Sequence, residues 1–584
     1  MSIDSLERRP TQFNFNAHRP TLAGRRYAVS AGHYLAAQTA FAILGAEGNA
    51  VDAGVAAGLV LGVVQSELVN IAGVAPIIIY LAATDEVVTI PGLGHWPMAL
   101  DPQRFVREYQ GHIPEGLLRT VVPAAPDAWI GALSRYGTLS FSEVAAEAIR
   151  FAREGFVMDP LMSELITTFA DGYRRWESNG QIYLPGGQPP KPGDLFVQSD
   201  LARTLQYMVD CEKAVLGKGR LAGLEAARSA FYSGDIARTI VRYHEENGGL
   251  LTMADLASFR VTPDAPVAMD CGGARLYTCG PWCQGPTLLQ VLAILDGYDL
   301  KSLGHNSADY LHLVTEAIKL AFSDRHSYYG DPRFVNVPIK ELISAEFAKQ
   351  RRDRISTRNA ATGMPPPGNL GVSAFSDSPT NTSYANRLPS LDTSYVAVID
   401  QAGNAFSATP SDVSFDTPVI PGTGICPSSR GSQSWGNPEC PSGVAPGKRP
   451  RLTPNPALAR YPDGSVVAFG SPGGDVQIQA MLQVWLNATL FGMDLQAAVE
   501  APRIASYSFP DSFEPHAYSA GQLNVESRLS GAVTAELTAR GHVVSEWPDW
   551  TWRAGSVCIV RRNGSTGNLE AAADPRRPCY ALAW

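Results

Sequence analysis

Apolar and polar positions follow two rhythms along the first ninety residues. Tyr34 to Leu44 and Val51 to Val64 read as helices, separated by the turn-like Gly45-Ala-Glu-Gly48-Asn49. Val74 to Ala82 then holds Ile77, Ile78 and Ile79 in an unbroken apolar run, which predicts a strand covered on both faces. Residues 140 to 355 read as mainly helical, with breaks at the loop-rich 180 to 199 and the Pro/Gly/Cys-rich 279 to 286. Periodicity is lost over 356 to 392, where prolines 365 to 367 and many small polar residues predict an exposed, mobile segment. Order resumes at Thr393. Ser394 to Asp400 and Ala405 to Thr409 flank the turn Gln401-Ala-Gly403-Asn404, and Ala457 to Tyr461 and Ser465 to Phe469 flank Pro462-Asp463-Gly464. A helix follows from about Val476 to Leu490. Antiparallel hairpins among helices predict an α+β molecule of stacked sheets between helical layers.

Composition narrows the function classes. The 584 residues are 45% apolar and 18% charged, ordinary for a soluble enzyme. A net charge of -9 argues against a nucleic-acid partner. The first twenty residues lack the apolar core of a secretory signal, and Ala53 to Val64 is roughly half of what a bilayer needs. The eight cysteines have no metal-ligand spacing, and Cys279-Gly-Pro-Trp-Cys283 has one residue too many for a redox pair. A cytoplasmic protein with reduced thiols and no membrane partner is the expectation. No phosphate loop, His-Glu-x-x-His or dinucleotide fingerprint is present, and Gly470-Ser-Pro-Gly473 misses the serine-hydrolase elbow by one residue. The ten histidines form no cluster along the chain, and His326 reads as a helix-end or turn residue, so neither metal nor cofactor is expected.

What remains is a linker ending at Asp392, followed at once by a threonine and a buried hairpin. A threonine freed at a new N-terminus carries its own base, an α-amine with a pKa of about 8. An internal threonine has no such base, so the bond between Asp392 and Thr393 would have to be cut first. Read locally, Thr393 is more often simply a residue that opens a strand, as threonines do.

At this hairpin the chain resembles the γ-glutamyltransferase family of N-terminal-nucleophile hydrolases, in Thr393-Ser-Tyr-Val-Ala-Val398-Ile399-Asp400-Gln-Ala-Gly403-Asn404-Ala405. The likeness continues through Gly48-Asn-Ala-Val-Asp52, Tyr136-Gly-Thr, Asp324-Arg325 with Gly330-Asp-Pro332, Gly447-Lys-Arg-Pro450, Gly470-Ser-Pro-Gly-Gly474, Phe491-Gly-Met and Ala501-Pro-Arg503. The resemblance implies a four-layer αββα sandwich. It also implies a precursor split between Asp392 and Thr393, giving a large region (1–355), the linker (356–392) and a small catalytic region (393–584). Thr393 would be the nucleophile, Ser411 the supporting hydroxyl, and Gly473 and Gly474 the oxyanion hole. Arg430, Gln433, Thr453 and Asn455 become the candidate substrate-binding residues.

The departures bear on substrate. Where the family grips the γ-glutamyl carboxylate with an arginine, this chain aligns Leu93. Where it binds the α-amine with an acid stands Gln433, the serine pair becomes Leu452-Thr453, and the glycine run after Asn70 shrinks to Ile-Ala-Gly-Val-Ala. Arg430 enters the pocket loop as a new cation, suited either to a carboxylate or to an internal ion pair. The expected activity is hydrolysis of a small acid's amide by a self-processed pair of fragments that could associate further. A true γ-glutamyl hydrolase or transpeptidase and a non-catalytic binding protein are the alternatives.

Overall fold

The computed structural model describes residues 17–372, 374–375 and 393–584; the N-terminal stretch read for a signal and the end of the linker, Asp392 included, lie outside them. Thirteen strands among the described residues build a sandwich. They are β1 (Leu22–Gly24), β2 (Ala28–Ala31), β3 (Ile77–Leu81), β4 (Glu86–Ile90), β5 (Val267–Cys271), β6 (Ala274–Thr278), β7 (Val396–Ile399), β8 (Ala405–Ala408), β9 (Ala457–Arg460), β10 (Val466–Gly470), β11 (Cys558–Arg562), β12 (Leu569–Ala573) and β13 (Tyr580–Ala583). One antiparallel sheet runs β13-β2-β7-β8-β3-β4 and the other β1-β12-β11-β10-β9-β6-β5.

Strand alternation explains the layering. In β7 and the residue before it, Tyr395, Ala397 and Ile399 enter an apolar core shared with Leu458, Ala468, Cys558 and Val560 of the second sheet. Val396 and Val398 face the other way, into a core with the helices α1 (Tyr34–Gly45), α2 (Ala50–Val64), α3 (Ala125–Tyr136) and α4 (Phe141–Glu154). A third core joins the outer face of the second sheet to α5 (Gly285–Leu295), α6 (Ala308–Tyr328) and α7 (Gln477–Thr489). The result is helix, sheet, sheet, helix. Every residue of α2 is buried, which accounts for its apolar composition all round. Its Gly54 lets Phe406 approach, since an added Cβ would lie 2.1 Å from that ring.

The hairpins fall where the sequence places them, whereas β1, β2, β4, β5 and β6 carry too little local signal. Residues 356–372 form no helix or strand but are held, not loose. Ser323 donates to Pro365 O at 2.6 Å, Arg351 to Pro366 O at 3.0 Å, and Gly368 N to Asp324 at 2.7 Å. Polar anchors from α6 and its surroundings thus order a stretch whose composition predicts mobility, and prolines lower the entropy to be lost.

Candidate active site

Thr393 lies three residues before β7, fully buried and bridged antiparallel to Ser411. Ser394 N donates to Pro410 O at 3.0 Å, which fixes this register. The Thr393 and Ser411 hydroxyl oxygens stand 2.9 Å apart. The Gln477 amide lies 3.1 Å from Thr393 Oγ1 on its other side. With its oxygen turned to Thr393, the nitrogen donates to Ser471 O at 3.2 Å and Thr453 O at 3.1 Å, so this orientation satisfies every group. Arg577 Nη1 donates to the Thr393 carbonyl at 3.3 Å. Gln477 has no striking sequence signature; only its place three residues after Gly474, at the head of α7, could have marked it.

Arg430 reaches the same group. Its side chain is buried, Nη2 donates to Ser411 Oγ, and Nη1 meets Gln433 Oε1 at 3.3 Å. Its Nε lies 3.7 Å from Asp412 Oδ2, and the guanidinium sits 5.4 Å over the Phe513 ring. Asp412 adopts φ 138°, a conformation non-glycine residues avoid. It is held there by Leu68 O on its amide, Asn70 on its carbonyl, and Ser428 and Ser429 on its carboxylate. Burial pushes the Asp412 carboxyl up against the pull of Arg430. The Arg430–Asp412 contact gives the internal ion pair that the sequence left open, and its other donor lands on Ser411.

Gly473 (φ 122°) and Gly474 (φ 57°) make the turn into α7. At Gly473 there is room for a Cβ, so its backbone angle, and not space, favours glycine. Gln284 ties this turn to the next loop by donating to Gly474 O at 2.9 Å and Thr453 O at 2.8 Å. Arg325 donates to Gln284 Oε1 and to Asp475. Burial opposes ionisation of Asp475, but Arg325 and Ser512 outweigh it and hold the carboxyl low. Gln433 donates to Thr453 Oγ1 at 2.9 Å. Thr393, Ser411, Arg430, Gln433 and Thr453, with the Gly473-Gly474 turn, therefore form one connected group. Asn455 stands apart from it. Its Oδ1 faces the Cys283 thiol at 3.5 Å and its buried Nδ2 has no partner among the described residues.

Leu93 is buried beside Trp282 in the inter-sheet core and lines a cavity of about 600 Å³. That cavity's arginines are already matched, Arg333 and Arg449 by Asp331 and Asp264, and Arg260 by Glu225. The fold also groups histidines that look scattered along the chain. His312 Nδ1 meets His542 Nε2 at 2.9 Å, and Glu316 is close enough to make the three a conceivable ligand set. Glu316 Oε1, however, already binds the Lys319 ammonium at 2.7 Å. No described helix is long and apolar enough to cross a membrane.

Known proteins resemble the chain over nearly its whole length. A family model described as Gamma-glutamyltranspeptidase matches residues 36–584. The chain is similar to the Acylase ACY 1 proenzyme of Pseudomonas sp. (strain SE83), 33% identical over 92% of this chain and 91% of that protein. It is 28% identical to the Glutathione hydrolase proenzyme of Bacillus subtilis (strain 168), over 97% of this chain and 93% of that one. Among solved structures, LmbA2991HD superposes with a TM-score of 0.91 at 36% identity, covering 97% of this chain and 99% of that one. The cephalosporin acylase from Bacillus halodurans gives 0.84 at 27% identity, over 99% of both chains.

Proposed function

The chain belongs to the gamma-glutamyltranspeptidase family and is an enzyme, and from that premise we propose that it is a self-processing amidohydrolase of small carboxylic acids, acting through an acyl-enzyme on Thr393. The observation that carries this reading is the buried Thr393 Oγ1, held between the Ser411 hydroxyl and the Gln477 amide at the mouth of a glycine turn. In self-cleavage Thr393 Oγ1 attacks the carbonyl carbon of residue 392, and the hydroxyl proton passes to the Thr393 nitrogen as the C–N bond breaks. Water then hydrolyses the ester and leaves a free α-amine. In turnover that amine takes the hydroxyl proton while Oγ1 attacks the substrate amide, then passes it to the leaving amine. Water releases the acid.

Substrate class follows from charge. A γ-glutamyl head carries a carboxylate and an ammonium, each needing a partner when desolvated. Leu93 and Gln433 bring no charge to the positions where the family supplies one, which favours an acid amide without the amine. The match to glutathione hydrolase proenzymes supports the second reading, a γ-glutamyl hydrolase with a remodelled pocket.

Two measurements test the proposal. Intact mass of the purified protein should give two chains, the second beginning at Thr393, and Thr393→Ala should remain one. A Thr393→Ala protein that still splits at this bond sinks the mechanism. Monoamides of dicarboxylic acids should exceed γ-glutamyl anilides in kcat/KM by about a hundredfold, the cost of leaving one charge unpaired. The reverse order selects the second reading.

A further inference from the structure

Beside the catalytic group lies a cation with no counter-ion among the described residues. Arg451, two residues before Thr453, is among the largest fully buried side chains of the protein. Nη1 donates to Arg325 O at 3.3 Å, and the guanidinium sits 4.8 Å over the Trp435 ring, which itself stacks on His516. Nε and Nη2 have no hydrogen-bond partner among the described residues. The carboxylate nearest in charge, Asp475, is already bound by Arg325, so two buried arginines share one aspartate. Burial, aggravated by Arg325, pulls the Arg451 guanidinium down to about 9. The Tyr329 hydroxyl, which acts electrostatically on Arg451, is buried and unpartnered as well.

Folded proteins rarely keep such a group. A buried charge is retained when something pairs with it, and a guanidinium with two adjacent free N–H groups matches one carboxylate in bidentate fashion. We propose that Arg451 is the receptor for the substrate's carboxylate, binding it through Nε and Nη2 against the Trp435 face while the amide is presented to Thr393. The placement suits this role. Arg451 is anchored on the backbone of Arg325, whose side chain holds Gln284, and Gln284 in turn fixes Thr453 and Gly474. The cation therefore has a set relation to the nucleophile's surroundings. Arg430, spent on Ser411 and Asp412, is not needed for the task. The inference rests on the amidohydrolase reading and supplies its specificity element.

The decisive variant is Arg451→Met, which keeps the apolar stem and removes the charge. With processed enzyme, we expect KM for a dicarboxylic monoamide to rise about a hundredfold, kcat and self-cleavage to hold, and KM for the matching uncharged ester-amide to stay unchanged. The melting temperature should hold or rise, because an uncompensated charge has been taken from the interior. A purely structural arginine predicts the opposite, a lower melting temperature with the preference intact, and that result overturns the proposal. Arg451→Lys keeps the charge without the fork and should recover part of the affinity; it also serves if the methionine variant does not fold. A calorimetric titration of succinate into processed protein separates this inference from the reaction itself. Binding lost in Arg451→Met supports the receptor even if no amide is turned over, in which case only the reaction reading fails. Phosphate binding as tightly as succinate, with no carboxylate preference in turnover, would make Arg451 a general anion site and defeat the substrate role.

Discussion

A hydroxyl becomes a nucleophile through its immediate neighbours, and here they can be followed atom by atom. A guanidinium only donates, so Ser411 Oγ accepts from Arg430 and its own hydrogen is free to point at Thr393 Oγ1. Ser411 donating to Thr393 Oγ1 would favour negative charge there in the proposed attack, while Gln477 Oε1 accepts the Thr393 hydroxyl before the proton moves to nitrogen. Arg430→Gln should accordingly slow self-cleavage and kcat together, by about ten- to a hundredfold, the worth of one charge-assisted hydrogen bond in a dry site. A mass-spectrometric time course on freshly purified precursor reads the first effect. Loss confined to KM would instead mean that Arg430 acts on the substrate. The meeting of Thr393 and Ser411 was legible in the sequence because Thr393 opens a long motif and Ser411 falls where the resemblance places a supporting hydroxyl. Asp412 and Gln477 were not, since each matters only through a partner brought in by folding, and the orphaned donors of Arg451 show only once its surroundings are built.

At the level of elements, the motifs that carried the resemblance turn out to be clasps between segments. Asp400 accepts from Asn404 N and Nδ2 across the β7–β8 turn, and from Ala50 N at the start of α2. Asp52 of the Gly48–Asp52 stretch accepts from Asn49 N, Thr138 and Leu139 N, which joins α2 to the Tyr136-Gly-Thr turn. Asp331 takes the Arg449 amide and guanidinium, linking two further motifs, and Arg503 pairs with Asp574. Asp400→Ala removes three acceptances at once from the hairpin that begins at Thr393. It should lower stability by about 2–3 kcal/mol, at roughly 1 kcal/mol per bond, and slow self-cleavage; Asp400→Asn should do less. Thermal melts of both variants, beside their cleavage time courses, check this, and an unchanged melting temperature for Asp400→Ala would show that the clasp contributes nothing. The hairpins were legible because paired apolar runs and glycine turns are local signals. Ala28-Val-Ser-Ala31 and Ala274 to Thr278 are strands only because β7 and β9 pair with them, and no local pattern records that.

Across the whole molecule, the proposed cut before Thr393 would sever the backbone without dividing the structure. The six-stranded sheet orders its members β13, β2, β7, β8, β3, β4, so strands from before and after Thr393 interleave in space. Within it β2 pairs with β7 over four residues, β3 with β8 over four, and β13 with β2 over four. The other sheet mixes the two regions differently, with β1, β5 and β6 from the first enclosing β9 to β12 of the second. All three large apolar cores draw side chains from both sides of the cut. Pulling the fragments apart would break ladders in both sheets and expose all three large cores, which is unfolding and not dissociation. The proposed cleavage would therefore leave the fold in place. The two fragments should elute together in size-exclusion chromatography at any dilution in native buffer, and should separate only above the denaturant concentration at which tryptophan fluorescence reports unfolding. Fragments that part in native buffer while each keeps its helical circular dichroism would show that the interleaving of strands does not hold the molecule together.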